Sequence, residues 1–317
     1  MLRFVLRRLI VSVLVLLGIS VLLFILIRSA PGDPLDVYIN PLTFQGDIEA
    51  ARAAMAIQLG LDQPMPIQYF RWLGQALTGN LGYSFTDGRA VTVLLSGRLY
   101  NTLALLIPAL LISLTLGILG GVWAALKHNR VGDYVLSAIS IVALSVPPFF
   151  LALLGIFVFS LQLRWLPTAG MNANVPTFID GLRHTIMPAF ILGAAGAAQY
   201  QRWTRSSMLD VLGQDFMVTA RSKGLSSGRI TWRHGVHNAL IPVITVVAMS
   251  IPTMLGGAVI VEQVFAWPGM GRLAVEAITT RDYPVLMGFV MFIAIMVVLA
   301  NLIADILYSV VDPRIRL

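Results

Sequence analysis

Six stretches free of charged residues dominate the chain, lying between Arg8 and Arg28, Arg98 and Lys127, Asp133 and Arg164, Arg183 and Arg202, His237 and Glu262, and Asp282 and Asp305. A hydrocarbon core of about 30 Å needs roughly 20 apolar residues in one helix, because lipid satisfies no free backbone donor or acceptor. Six transmembrane helices and an all-α fold are therefore predicted. The second and third runs exceed the required length, so part of each is expected at the interface or outside the bilayer. Among the polar intervals only 28–98 is long enough to carry structure of its own. Asp47 can cap a helix with Ile48, Met55 and Leu59 on one face and Gly60 at its close. Pro66 can open a second helix presenting Ile67, Phe70, Leu73 and Leu77 together. Residues Val91 to Leu95 are expected along the interface ahead of the second span. The interval reads as a small helical cap without an independent core. The chain thus divides into 1–28 (tail and first span), 29–98 (cap) and 99–317 (a five-helix core containing a polar loop at 202–237).

Composition agrees with the pattern: 57% of the 317 residues are hydrophobic and 12% charged, against about 25% charged in ordinary soluble domains. Charge sets the expected orientation. One side of the spans carries 13 lysines and arginines against four acids, and the other nine against ten, five of those nine in the long loop. Basic loops stay inside, so both termini are expected in the cytoplasm. The net charge of +7 then follows from topology and anionic headgroups, with no need for nucleic acid. Arg3, Arg7 and Arg8 before an apolar stretch from Leu9 to Ile27 resemble a secretory signal, but the stretch is long and Arg28-Ser29-Ala30-Pro31 offers no small-x-small cleavage site, so a retained anchor is expected. Cysteine is absent, which excludes disulfides and thiolate metal sites.

The spans are not uniform. Pro147-Pro148 removes two backbone donors and should kink or break the third. Gly117 and Gly121 form a GxxxG pair in the second, and residues 193–198 of the fourth are all Gly or Ala, permitting close helix approach. Ordinary packing accounts for these features; the alternative is a broken helix lining a translocation pathway, with Ser145, Pro147, Pro148 and Glu262 as its candidate residues. Glu262, at the outer end of the fifth span, could face a cavity or solvent.

Catalytic motifs are missing. Neither Lys127 nor Lys223 closes a GxxxxGK[ST] phosphate loop, and there is no GxSxG or HExxH. His234 and His237 stand three apart without a third ligand in their loop. No catalytic or metal-binding residue is expected. An ion-coupled carrier would place ionisable groups at mid-membrane, at a cost of about 2.5–3.5 kcal/mol each. None lies centrally; Asp305, near the cytoplasmic end of the sixth span, reads more simply as a helix-end hydrogen-bonding group.

The loop 202–237 is the strongest functional signal. Residues 210–220 favour a helix, Gly224 should break or bend it, and Ser226 or Ser227 can cap a second. The first helix is expected to present Phe216, Met217 and Ala220 as an apolar knob amid cations, suited to a groove on a soluble partner.

Thr219-Ala220-Arg221, then Gly224, then Leu240 and Pro242 resemble the EAA loop of permease subunits in bacterial ATP-binding-cassette importers, with Thr219 in place of the motif's Glu and Arg221 in place of its second Ala. Four further stretches are similar to the dipeptide/oligopeptide and nickel permeases: Ala30-Pro31-Gly32-Asp33-Pro34, Leu59-Gly60-Leu61-Asp62-Gln63-Pro64, Gly79-Asn80-Leu81-Gly82-Tyr83-Ser84, and Asp312-Pro313-Arg314-Ile315-Arg316. The resemblance implies a type I importer permease fold in the bacterial inner membrane. It also implies a second permease, two cytoplasmic ATPase subunits holding ATP and magnesium, and an extracytoplasmic peptide-binding protein. Phe216, Thr219, Ala220, Arg221, Gly224 and Pro242 would form the ATPase-coupling loop. The competing expectations are an ion-coupled secondary transporter and a membrane scaffold.

Overall fold

The computed structural model describes residues 2–29, 47–59, 62–171 and 177–311. These are helical almost throughout: α1 (Leu2–Ser29), α2 (Ile48–Leu59), α3 (Met65–Leu77), α4 (Val91–Leu126), α5 (Val131–Ser145), α6 (Pro148–Gly155), α7 (Phe178–Leu212), α8 (Asp215–Ser222), α9 (Ser227–Arg229), α10 (His237–Val264), α11 (Met270–Thr280) and α12 (Tyr283–Val311), with π-helical turns at Ile156–Gln162 and Ile230–Val236. Among the described residues four helical stretches are long and apolar enough to cross a membrane: Leu6–Ser29, Val91–Leu126, Ser227–Val264 and Tyr283–Ile303. The pair Val131–Ser145 and Pro148–Gln162 passes the same test only together and is bent by 104°, the form of a broken span or a re-entrant loop. The fourth apolar run of the sequence lies within α7, whose 35 residues would extend about 52 Å. Glycine, glutamine and arginine make that helix less apolar than its neighbours.

The bend has a local cause. Val146 and Pro147 each precede a proline, which disfavours the helical region for both, and they take ψ of 125° and 138°. Helix α5 therefore stops at Ser145 and α6 restarts at Pro148, as the Pro-Pro step predicts. Val91 to Leu95, expected along the interface, are continuous with the second span. Helix α4 runs unbroken from Val91 for 36 residues, with Val91, Leu94 and Leu95 buried.

Two compact units make up the chain. The first comprises Tyr100–Arg272 with Leu299–Leu317. Its main core joins Leu105 and Ala109 of α4, Ala152 of α6, Met187, Ala189, Ile191 and Leu192 of α7, and Ala258, Val261, Phe265 and Trp267 in and after α10. A second core at the other end of α4 gathers Val122, Ala125, Met208, Val236 and Ala239. Between them α4 and α7 meet through glycine. A Cβ on Gly121 would stand 2.5 Å from Thr204 Cβ and 2.7 Å from the Gln201 carbonyl, and one on Gly193 2.6 Å from the Ala109 carbonyl. The small residues thus serve close packing. Gly121→Ala is expected to push these helices apart at a cost of about 1–3 kcal/mol, read as a lower thermal midpoint in detergent. Gly97→Ala, on the same helix with open space around it, should leave the midpoint unchanged or slightly raised.

The second unit comprises Leu2–Leu99 and Leu273–Val298. Asp47 accepts from the backbone N–H of Glu49 and Ala50 at 3.0 and 3.1 Å, the cap predicted for α2. Pro64 precedes α3, which starts one residue before the predicted Pro66. The face of α3 that packs is not the apolar stripe the sequence brings together. Tyr69 and Trp72 join Leu23, Phe24 and Met287 in a small core, while Ile67, Phe70 and Leu77 are exposed. In the Gly79-to-Ser84 stretch, Gly79 and Gly82 both have φ of +84°, and the Asn80 side chain accepts from Gly82 N at 3.0 Å. The hairpin that follows is held by Asp282, 1% exposed, which accepts from Ser84 Oγ at 2.5 Å and Thr86 Oγ1 at 2.9 Å. At its tip Arg89 donates to both Asp87 oxygens, which lowers the pKa of that exposed carboxyl. Residues 30–34, 60–61 and 312–316 of the sequence motifs lie outside the described residues.

Candidate functional site: a rigid knob between α7 and α10

Helix α7 gives way at Gly213 to α8, whose first residue, Asp215, suits a helix N-terminus. Gly224 ends α8 with φ of +73°, donating to the Arg221 carbonyl at 2.9 Å while Lys223 donates to that of Thr219. This left-handed position is one that glycine takes without the Cβ penalty. Ser226 then takes the N-cap place in an extended conformation, with no side-chain cap bond. The second helix of the loop is not separate. From Ser227 the chain is helical to Val264, so the loop's return arm is the beginning of the span itself, with Pro242 exposed inside it.

The faces of α8 correct the predicted knob. At about 100° per residue, Met217 and Ala220 point the same way, and both are buried, at 0% and 7% exposure, against Ile230 with Val211, Leu212 and Leu225. They anchor the knob and do not form its contact surface. The outward apolar groups are Phe216, 42% exposed, and Val218, 56% exposed, beside the exposed Thr219 and Arg221. Val218 escapes the motif pattern, although helical periodicity opposite Met217 points to it. Trp232, also exposed, stands among Arg229, Arg233 and His234. No acid occurs between Asp215 and Glu262, so this surface is cationic with apolar projections, and the helix behind it is fixed to both adjoining spans.

The candidate pathway residues separate. Ser145, Pro147 and Pro148 lie together at the bend, with Ser145 exposed and its hydroxyl donating back to the Ile141 carbonyl at 2.8 Å. Glu262 does not join them. It is 0% exposed and accepts from Thr102 Oγ1 at 2.6 Å, Gly271 N at 2.7 Å and Arg272 N at 3.2 Å, so it faces neither cavity nor solvent. A cavity of about 810 Å³ opens between Ser137, Ile141 and Leu144 of α5 and Gln199, Arg202, Trp203, Arg205 and Ser206 of α7. It sets a polar stretch of α7 against the second half of α5, up to Leu144 and short of the pathway candidates, a juxtaposition that periodicity within either helix does not reveal.

Arg205 ties this wall together. Its Nε and Nη2 donate to the two oxygens of Asp133 at 2.5 and 2.7 Å; Asp133 is 1% exposed and Arg205 27%. A bidentate pair fixes orientation as well as distance. Arg205→Ala is expected to cost about 2 kcal/mol by leaving the buried carboxylate without its main donor. The lowered thermal midpoint should be partly restored in Asp133→Asn/Arg205→Ala, which no longer buries that charge.

The family described as binding-protein-dependent transport system inner membrane component matches residues 117–317, and the family of its N-terminal part matches residues 1–106. The oligopeptide transport system permease protein AppB of Bacillus subtilis is 42% identical, with 100% of each chain covered. The glutathione transport system permease protein GsiC of Escherichia coli is 39% identical over 100% of this chain and 99% of its own. Among solved structures, the inward-facing MetNI methionine ABC transporter matches with a TM-score of 0.56 at 18% identity, covering 69% of this chain and 96% of that one, a likeness of fold.

Proposed function

This chain belongs to the family of binding-protein-dependent transport system inner membrane components, and we propose that, as the permease subunit of an ATP-binding-cassette importer, it passes peptides into the cytoplasm by alternating access while separate subunits hydrolyse ATP. The observation that carries this reading is the knob formed by α8. Its inner face, Met217 and Ala220, is locked to the end of α7 and to Leu225 and Ile230 on the helical arm that leads into α10, and its outer face offers Phe216, Val218, Thr219 and Arg221. Force applied to α8 would therefore reach two membrane helices without an intervening flexible joint.

The complex would contain a second permease, two cytoplasmic ATPases that bind ATP and magnesium, and an extracytoplasmic binding protein. Both termini and the α8 knob would face the cytoplasm, in line with the distribution of lysine and arginine. A nucleotide-driven change in the ATPases can move the permease only through contacts of unequal strength in its two states. Phe216 and Val218 supply apolar area for such contacts, and the surrounding cations supply attraction to an acidic groove. The cavity along α5 and α7 would be the route; Ser145, Pro147 and Pro148 follow its lining residue Leu144 in the chain, and the Pro-Pro break supplies irregular backbone where a pathway needs it. Peptide is the favoured cargo because full-length relatives are named for oligopeptide and glutathione transport, and both are chains of amides with terminal carboxylates.

The test is uptake of labelled peptide into proteoliposomes containing the assembled complex and its binding protein. Uptake is expected to require ATP on the α8 side and to persist when the proton gradient is collapsed. Uptake that follows the gradient and ignores ATP would overturn this reading in favour of an ion-coupled carrier. Phe216→Ala/Val218→Ala should lower stimulated ATP hydrolysis and uptake together, since it removes the contact surface without disturbing Met217 and Ala220.

A further inference from the structure

Helix α3 has three faces, and only two have an evident environment. The first, carrying Tyr69 and Trp72, packs on Leu23 and Phe24 of α1 and Met287 of α12. Tyr69 Oη also shares a hydrogen bond with Ser20 Oγ at 2.8 Å, and its ring meets that of Phe24 edge-on at 5.6 Å. The second, carrying Arg71 and Gln75, is exposed and polar. The third carries Ile67, Phe70 and Leu77, exposed at 52%, 67% and 80%, with Gly74 open between them. Successive residues rotate by about 100°, which places these faces roughly a third of a turn apart: one toward the spans, one hydrophilic and one oily.

The depth of α3 follows from its neighbours. Phe24 lies four residues before Arg28, the charge at the end of α1, and Met287 lies four residues after Tyr283, the start of α12. Both anchors thus sit about 6 Å inside their helix ends at 1.5 Å per residue. Helices that lie in a membrane interface bury their apolar face about 5–10 Å into the headgroup and acyl boundary. On α1 itself Leu22, Ile25 and Leu26, within one turn of Phe24, are exposed, as on a surface that meets lipid at this level. Tyr and Trp favour this zone because each combines an apolar ring with a polar atom.

We propose that α3 is an interfacial helix whose Ile67, Phe70 and Leu77 face rests in the bilayer leaflet at the Arg28 end of α1, with Arg71 and Gln75 turned to water. This goes beyond the transport reading and does not depend on it. It assigns part of the cap to lipid, leaving the polar side of α3 as the surface a soluble partner could reach. An anchored α3 would also hold the hairpin after it at a fixed height above the membrane.

The absence of native cysteine makes the test direct. Single variants Phe70→Cys, Leu77→Cys and Gln75→Cys carry a nitroxide label in the assembled transporter, within nanodiscs of phosphatidylethanolamine and phosphatidylglycerol. Collision rates are measured with oxygen, which concentrates in lipid, and with a neutral nickel chelate, which stays in water. Oxygen should dominate at Phe70 and Leu77 and the chelate at Gln75, a reversal of the ratio within one helix. Chelate-dominated relaxation at Phe70 and Leu77 would overturn the proposal by placing that face in water. Shielding from both reagents would overturn it in favour of a protein cover: the binding protein if shielding appears only when that protein is added, a neighbouring subunit if it is present throughout.

Discussion

Gly224→Val is expected to abolish most ATP-dependent uptake while leaving the protein inserted and folded. At φ of +73° a β-branched residue meets the left-handed penalty of about 1–2 kcal/mol, which disfavours the native end of α8 by roughly ten-fold. A Cβ there finds no atom within 4 Å. The effect is thus confined to backbone geometry and should leave the buried cores untouched. Release of the α8 end would loosen Lys223 and Gly224 from the Thr219 and Arg221 carbonyls and turn a rigid knob into a compliant one. Basal ATP hydrolysis by the complex should persist, and its stimulation by loaded binding protein should disappear. Gly224→Asn separates conformation from bulk, because asparagine tolerates the left-handed region; it should retain most of the uptake. A Val variant with normal uptake and normal stimulation would remove the knob from the coupling path.

Glu262→Ala is expected to be the most destabilising single change, at about 3–5 kcal/mol. Three donors converge on this enclosed carboxylate, from Thr102, Gly271 and Arg272, and a buried donor left unsatisfied costs about 1–3 kcal/mol. Thr102 Oγ1 also accepts from Met270 N at 2.8 Å, so losing the carboxylate frees a relay that orders the turn after α10. The same turn is fastened by Trp267 Nε1 to the Asn101 carbonyl and by Asn101 Nδ2 to that of Pro268, both at 2.8 Å. Glycine at 269 is required by this arrangement, since any Cβ there would overlap the Glu262 carboxylate. Glu262→Gln keeps the shape and replaces one acceptor oxygen by a donor, so it should be milder. The measurement is the thermal midpoint of the purified complex with uptake assayed in parallel. Uptake lost at an unchanged midpoint would return Glu262 to the pathway and contradict the structural role.

Much of the architecture is legible one segment at a time. Asp47 caps α2 because its carboxylate needs only the N–H groups two and three residues ahead. Pro147-Pro148 breaks the third run because proline constrains its own φ and the residue before it. Gly224 closes α8 because few other residues adopt its φ cheaply. Each of these decisions involves atoms within about one helical turn, so the residue type carries the answer. The errors concern faces. Met217 and Ala220 read as a contact surface because apolar residues amid cations resemble a docking patch, yet their partners, Ile230 and Leu225, lie beyond Gly224 and become neighbours only when the chain folds back. Ile67, Phe70, Leu73 and Leu77 read as one apolar face of α3 without saying whether it is covered, and Phe24 selected the aromatic side, where Tyr69 also finds Ser20.

The family likeness adds what periodicity lacks, since the Thr219 to Gly224 motif marks the knob whichever way its side chains turn. It does not supply the roles of Glu262, Asp282 or Arg205. Each is an ionisable group with a bonding partner between 72 and 198 positions away along the chain, and a lone acid at the end of a span looks the same whether it meets water or a ring of donors.

By itself the sequence determined that the chain crosses a bilayer as helices and where the third run breaks. Lipid offers the backbone no partners, so every apolar run must close its hydrogen bonds internally, and proline cannot donate. Tertiary structure alone decided which side of each helix is covered, which carboxylates are enclosed and which cations remain open to a partner. Burial depends on the neighbour that arrives, and neighbours distant along the chain leave no mark in local composition.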